Sequence, residues 1–177
     1  MVTVALMTHL FPTKQAPLRG SFVVEQAQAL TRAGVAVRVV AAAYESCPET
    51  PDRLEGLSVT YVRLPWVRWL GGLGNMALVP AFYVPRALRA IRAMDSRPDL
   101  IHAHFGYPDG AVGVILRGRL RIPLVVTLHG SDVDHQMMRP LVGSTIASIL
   151  GHADLLITVS REMAAKVAAK IPRARAV

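Results

Sequence analysis

The chain is poor in the groups that cross-link or charge-neutralise a protein. Cys47 is the only cysteine among 177 residues, so no intrachain disulfide can form and a reducing compartment such as the cytoplasm is permitted. Acidic residues are scarce: 12 Asp and Glu stand against 20 Lys and Arg, 17 of them Arg, for a net charge of +8. That imbalance suits an anionic lipid, a phosphorylated ligand or nucleic acid. Aromatic residues are only 6% of the chain, no compact basic run is interleaved with stacking rings, and no zinc-finger spacing occurs, so nucleic acid is not an expected partner. The Gly-x-Gly-x-x-Gly fingerprint is missing as well, which argues against a nicotinamide dinucleotide. The first residues, Met1 to His9, carry no basic leader and read as a first strand instead of a signal peptide. No long uninterrupted apolar run is present. The most lipid-like stretch, Leu64 to Leu88, holds Trp66, Trp69, Phe82 and Tyr83, but Arg68, Pro80, Pro85 and several glycines break it. A segment lying on a membrane surface is the easier physical reading of that stretch.

What is present is an apolar fraction of 52%, enough for one sizeable core, and a length that favours one domain. Apolar strand-like runs alternate with amphipathic helical ones. Val2 to Met7 predicts a strand, Phe22 to Arg32 a helix ended by Gly34, and Val35 to Ala42 the next strand. The apolar side of that helix is expected to hold Phe22, Val23, Ala27, Ala29, Leu30 and Ala33. Cys47 to Glu55 is turn-rich, Leu57 to Leu64 has strand character, and Pro65 to Pro80 has no clear assignment. A helix over Pro85 to Met94 places Arg86, Arg89 and Arg92 on one face with Leu88 and Ile91 turned away. Asp99 to Ala103, Pro123 to Leu128 and Leu155 to Val159 supply further strands. Gly110 to Gly118, Met137 to Leu150 and a segment capped by Ser160 supply helices, and Ala174 to Val177 is too short to define another element. This alternation specifies an α/β fold with three layers, a mostly parallel sheet and helices on both faces.

Two of the strands end in chemistry. Asp99-Leu-Ile-His-Ala-His-Phe105 and Pro123-Leu-Val-Val-Thr-Leu-His-Gly-Ser-Asp132 both run from apolar residues into polar tips, and open parallel sheets bind ligands outside the carboxyl ends of their strands. A histidine at such a tip can equally well satisfy nearby backbone groups. His102 and His104 alternate on one strand face, so with His129 and Asp132 they could form a metal set for a hydrolase. A sugar or phosphate site would use the same residues differently, with neutral imidazoles and backbone N–H groups as donors. Gly20, where the first crossover helix begins, is a candidate for close phosphate approach or simply for a tight turn. A noncatalytic sugar- or phosphate-binding domain is a third reading.

In order along the chain, Phe11-Pro12 with Gly20-Ser-Phe-Val-Val24, the His102-Ala-His104 strand, the Thr127-to-Asp132 segment and Asp154-Leu-Leu-Ile-Thr-Val-Ser160 resemble the amino-terminal, acceptor-side domain of a family 4 glycosyltransferase. The resemblance covers nearly the whole of residues 1–177. It implies a Rossmann-like domain, one half of a GT-B fold, from an enzyme that moves a sugar from a nucleotide-sugar donor to a saccharide or lipid-linked acceptor with retention of configuration. Cell-surface polysaccharide or glycolipid synthesis is the implied setting. It also implies that Gly20 and Ser21 lie near the donor phosphates, that His129 is the catalytic residue beside the transferred sugar, and that His104 and Asp132 line the same crevice. No tightly bound cofactor or metal is implied, the nucleotide sugar being a substrate. A carboxyl-terminal donor-binding domain is expected as the partner in cis, without which the isolated 177 residues should not transfer sugar. Trp66, Trp69, Arg86 and Arg89 become candidates for contact with a lipid-linked acceptor or the inner face of the cell membrane.

Overall fold

The computed structural model describes residues 1–44, 53–65, 71–136, 140–172 and 175–177, in two compact units, Met1–Asp99 and Leu100–Val177. The first unit contains β1 (Thr3–Thr8), α1 (Ser21–Arg32), β2 (Ala36–Tyr44), β3 (Arg53–Leu54), β4 (Leu57–Leu64) and α2 (Gly71–Arg92). β1 pairs in parallel with β2, from Thr3 opposite Ala36, and β2 with β4, from Arg38 opposite Ser58. All six residues of β1 are buried, as expected of a parallel strand covered on both faces. The turn-rich segment yields one element the sequence did not announce: β3 pairs antiparallel with β4 through Glu55-Gly56, both at positive φ, which suits a tight hairpin.

Helix α1 packs Val23, Val24 and Ala27 into a core with Leu6, Phe11, Val37, Val39, Ala41, Leu57 and Val59. The expected apolar stripe is therefore rotated. Phe22 is 42% exposed and Ala29 faces solvent, because the buried positions follow 23, 24 and 27. The helix ends as Gly34 predicts, with the Gly34 N–H donating to Thr31 O and the Val35 N–H to Leu30 O, a Schellman arrangement. Helix α2 begins well before the expected Pro85 and contains both Pro80 and Pro85. Each internal proline costs about 3 kcal/mol. Burial of Val79, Tyr83, Val84 and Ile91, at about 1.5–3 kcal/mol apiece, offsets that cost. Trp66 and Trp69 lie outside the described residues.

The second unit contains β5 (Leu100–His104), α3 (Ala111–Leu120), β6 (Leu124–Leu128), α4 (Pro140–Leu150), β7 (Leu155–Thr158) and α5 (Arg161–Lys170). β5 pairs in parallel with β6, and β6 with β7. Ile101, Val112, Leu116, Leu124, Val126, Leu150, Leu156 and Val167 form its buried apolar interior. Asp154 ties three elements: its carboxylate accepts from Arg117 Nε at 2.6 Å, Arg117 Nη2 at 2.7 Å and the Leu124 N–H at 2.8 Å. Ser160 caps α5 as predicted, its hydroxyl accepting from the Met163 N–H at 3.1 Å. The last residues do pair, Ala176 forming a parallel bridge with Leu156. Two wide helical turns, Gly106–Gly110 and Asp132–Gln136, follow β5 and β6.

Gly20 precedes α1 at φ +69°, and a Cβ placed there would stand 2.2 Å from the carbonyl oxygen of Leu10. Gly34 has φ +85° with open space around it. Gly34→Ala should therefore cost about 1–2 kcal/mol, the backbone strain alone. Gly20→Ala should cost more, about 3 kcal/mol or above, because the β1–α1 loop must also move. Denaturant unfolding of the two variants side by side measures the difference, and equal losses would show that the Leu10 contact yields freely.

Candidate functional site

The side chains singled out at the ends of β5 and β6 meet in the second unit. Because strand side chains alternate, His102 and His104 share one face of β5 while Ile101 and Ala103 take the other. Their rings stack with centroids 4.7 Å apart and planes 29° from parallel. His129, one residue beyond β6, meets His104 edge to edge: its ring lies 5.4 Å from that of His104, 18° from parallel, with Nε2 3.2 Å from His104 Nδ1. At the other position, His102 Nε2 lies 2.7 Å from the Thr127 hydroxyl of β6.

Two features hold His129 in place, of which only the second, Asp132, was a candidate in the sequence. The first is Phe105, whose ring packs 4.5 Å from that of His129. Its backbone sits at φ +76°, unusual for a bulky residue, and is secured by Phe105 N–H to Thr127 O and Gly110 N–H to Phe105 O. The second is the carboxylate of Asp132, which is 1% exposed. It accepts the Gly106 N–H at 3.0 Å on one oxygen and the His129 N–H at 2.9 Å on the other, while the Asp132 N–H donates to His129 O. Asp132 thus joins the loop after β5 to the loop after β6. Asp109, fully buried in the first of those loops, is a further polar residue that the sequence reading passed over by starting the helix at Gly110.

The electrostatics follow from burial. Desolvation first, then the neighbouring His129, pushes His102 from 6.5 down to about 4. His104 is driven to about 2 by the same desolvation, then by His102 and His129. Both rings are therefore neutral at physiological pH. The metal reading of His102, His104 and His129 with Asp132 fails on this geometry. Among the described residues no group of three His, Cys, Asp or Glu is arranged to hold a metal ion. One nitrogen of each ring is engaged, His102 with Thr127 and His104 with His129, and the near-parallel rings do not converge their nitrogens, whereas ligands must aim lone pairs at one point.

The remaining candidates lie in the first unit. Gly20 and Ser21 stand at the start of α1, where the Val23 N–H bonds to Gly20 O at 2.9 Å and the Ser21 N–H to Leu18 O at 3.3 Å. Arg86 and Arg89 are exposed on α2, and the Arg86 guanidinium lies 5.4 Å from the centre of the Phe82 ring. Among the described residues no helix is long and apolar enough to cross a membrane.

Comparison with known proteins bears on what this arrangement belongs to. Residues 20–177 match Glycosyltransferase Family 4. Over 148 residues, 72% of this chain, the sequence is 30% identical to the putative teichuronic acid biosynthesis glycosyltransferase TuaC of Bacillus subtilis, and covers 36% of that protein. Among solved structures, the trehalose-6-phosphate phosphatase N-terminal domain of Candida albicans superposes with a TM-score of 0.68 at 13% identity, over 98% of this chain and 43% of that one. The catalytic domain of starch synthase IV from Arabidopsis thaliana, bound to ADP and acarbose, superposes at 0.64 and 14% identity, over 100% of this chain and 51% of that one. These likenesses establish the fold as a Rossmann-like α/β domain, one half of a GT-B fold.

The neutral imidazoles predict an acid-sensitive fold. Both titrate lower when folded than the unfolded value of 6.5, so below that pH the unfolded chain binds more protons and stability falls. Their contribution should be complete above about pH 6.5 and lost progressively toward about pH 4 for His102 and about pH 2 for His104, by roughly 2 kcal/mol per ring at about pH 5. Denaturant unfolding across that range checks it, and a His102→Asn variant should show a shallower dependence than the parent chain.

Proposed function

The chain belongs to Glycosyltransferase Family 4, and we propose that it is the acceptor-side half of a retaining enzyme that moves a sugar from a nucleotide-sugar donor to a saccharide or lipid-linked acceptor. The observation that carries this reading is His129 held at the carboxyl end of β6, its backbone on Asp132 and its ring against His104 and Phe105. A group so fixed can meet a sugar hydroxyl without first being ordered, which is the condition for binding a transition state better than a ground state. In a retaining transfer no base is needed to invert the reacting carbon, so His129 serves as a sugar contact. Developing charge is then borne by the donor phosphates and the hydrogen-bond donors around them. Gly20 and Ser21 are the proposed phosphate-side contacts, and Asp132 positions the His129 loop. The rest of a complete enzyme would supply the donor nucleotide's other contacts, and closure would exclude water.

The name of the Bacillus subtilis relative, a teichuronic acid biosynthesis glycosyltransferase, supports polysaccharide biosynthesis as the setting. The exposed Arg86, Arg89 and Arg92 on α2 support a peripheral contact with anionic lipid or with a lipid-linked acceptor.

In the full-length enzyme, His129→Ala should lower the rate of sugar transfer by about 100-fold or more, the scale set by losing one preorganised donor. Product analysis with a panel of nucleotide sugars and of saccharide or lipid-linked acceptors measures it, and unchanged transfer would remove His129 from the reaction. The 177 residues alone should fold without transferring sugar. For the membrane contact, sedimentation with anionic vesicles should carry down the parent chain and several-fold less of an Arg86→Ala/Arg89→Ala variant. Equal partitioning would leave those arginines as a solvated helix face.

A further inference from the structure

The rings of His104 and His129 lie near-parallel and meet edge to edge in one hydrogen bond, and a single proton on the 3.2 Å contact between His104 Nδ1 and His129 Nε2 must belong to one ring or the other. A neutral imidazole carries one N–H and one unshared pair, so ownership of that proton sets the far nitrogen of each ring. Suppose His129 Nε2 were the donor. His104 would then accept at Nδ1 and carry its own proton on Nε2. That atom is buried in a side chain with 0% exposure, and no described residue offers it a partner. A buried N–H without an acceptor is among the rarest states of a polar group in folded proteins. With the proton on His104 Nδ1, Nε2 keeps only an unshared pair, the lesser penalty. His102, stacked on His104, has its own Nε2 engaged with Thr127 and offers no proton from there. Burial also keeps His104 from holding protons on both nitrogens.

Building on the reading of His129 as a sugar contact, we propose that His104 is a positioning residue: its Nδ1–H donates to His129 Nε2 and fixes His129 as the neutral tautomer protonated on Nδ1. The imine nitrogen of His129 is thereby occupied. The N–H of His129 then sits on Nδ1, a donor suited to a hydroxyl oxygen or to developing negative charge, and Nε2 is withheld from taking a substrate proton. The pair of histidines two residues apart on β5 acquires a division of labour: His102 bonds to Thr127, and His104 orients a ring on the neighbouring strand's loop.

The test is a long-range proton–nitrogen correlation spectrum of the full chain labelled at its histidine ring nitrogens, at neutral pH. Both His104 and His129 should show the shift pattern of protonated Nδ1 and bare Nε2. His104→Asn, whose side-chain amide stands nearest the place of Nδ1, should preserve the His129 pattern. His104→Phe, which keeps a ring and removes the donor, should return His129 toward the mixture rich in Nε2–H that a free imidazole shows. A His129 already protonated on Nε2 in the parent chain overturns the proposal, as does a His129 pattern unaltered by His104→Phe. The parent spectrum decides the matter even where a variant fails to fold. If His129→Ala leaves sugar transfer intact in the complete enzyme, the sugar-contact reading falls while the tautomer assignment stands. An Nε2-protonated His129 in an enzyme that does need His129 sinks the tautomer assignment alone.

Discussion

A single buried carboxylate organises the polar end of the second unit. Asp132 accepts one N–H from the residue that opens the turn after β5 and another from the residue that follows β6. Parallel strands of this kind are joined by their ladder, but their departing loops are not, and each loop must find partners for its own backbone groups. Asp132 meets that need for both loops at once. Charge-assisted bonds to backbone N–H groups are stronger than neutral ones, and a carboxylate so far from water would otherwise be costly. The arrangement couples the geometry at Gly106 to the geometry at His129.

That coupling holds a half-buried imidazole, His129, against two buried ones. Histidine is usually placed where it can charge, yet here desolvation keeps His102 and His104 neutral. As neutral rings they act as flat, polarisable packing surfaces that also carry one donor and one acceptor each. A phenyl ring could fill the same space, but it could not relay a preference for one protonation site from strand to loop. The stack converts position in the sheet into hydrogen-bonding character at the tip.

Much of this was legible in the sequence. The strand ends were marked by apolar runs breaking into His-Ala-His and His-Gly-Ser-Asp, and period-two alternation placed His102 and His104 on one face before any coordinates. Ser160 and Gly34 announced their helix ends because capping chemistry is local. Other features were hidden for physical reasons. The Asp132–Gly106 bond spans 26 residues and depends on register between strands, which no local pattern encodes. The start of α2 was masked by Pro80 and Pro85, whose propensities point away from a helix that packing nonetheless sustains. The rotation of α1 that buries Val24 and exposes Phe22 shows the limit of a moment argument when both flanking residues are apolar. The proposed role of the site rests on the ordered resemblance to a family, since an imidazole at a strand tip is chemically compatible with metal, sugar or plain packing.

The backbone of Phe105 sets a constraint of a different kind. A residue with a side chain at φ +76° gives up about 1–3 kcal/mol that glycine would keep, so conformational ease alone would favour glycine there. Glycine, however, would leave one side of His129 without its wall, and a β-branched residue would fit the backbone worse still. Position 105 is thereby confined to the few unbranched, ring-bearing side chains that tolerate the left-handed region. Two demands, one on the main chain and one on the side chain, have almost no common solution at this position.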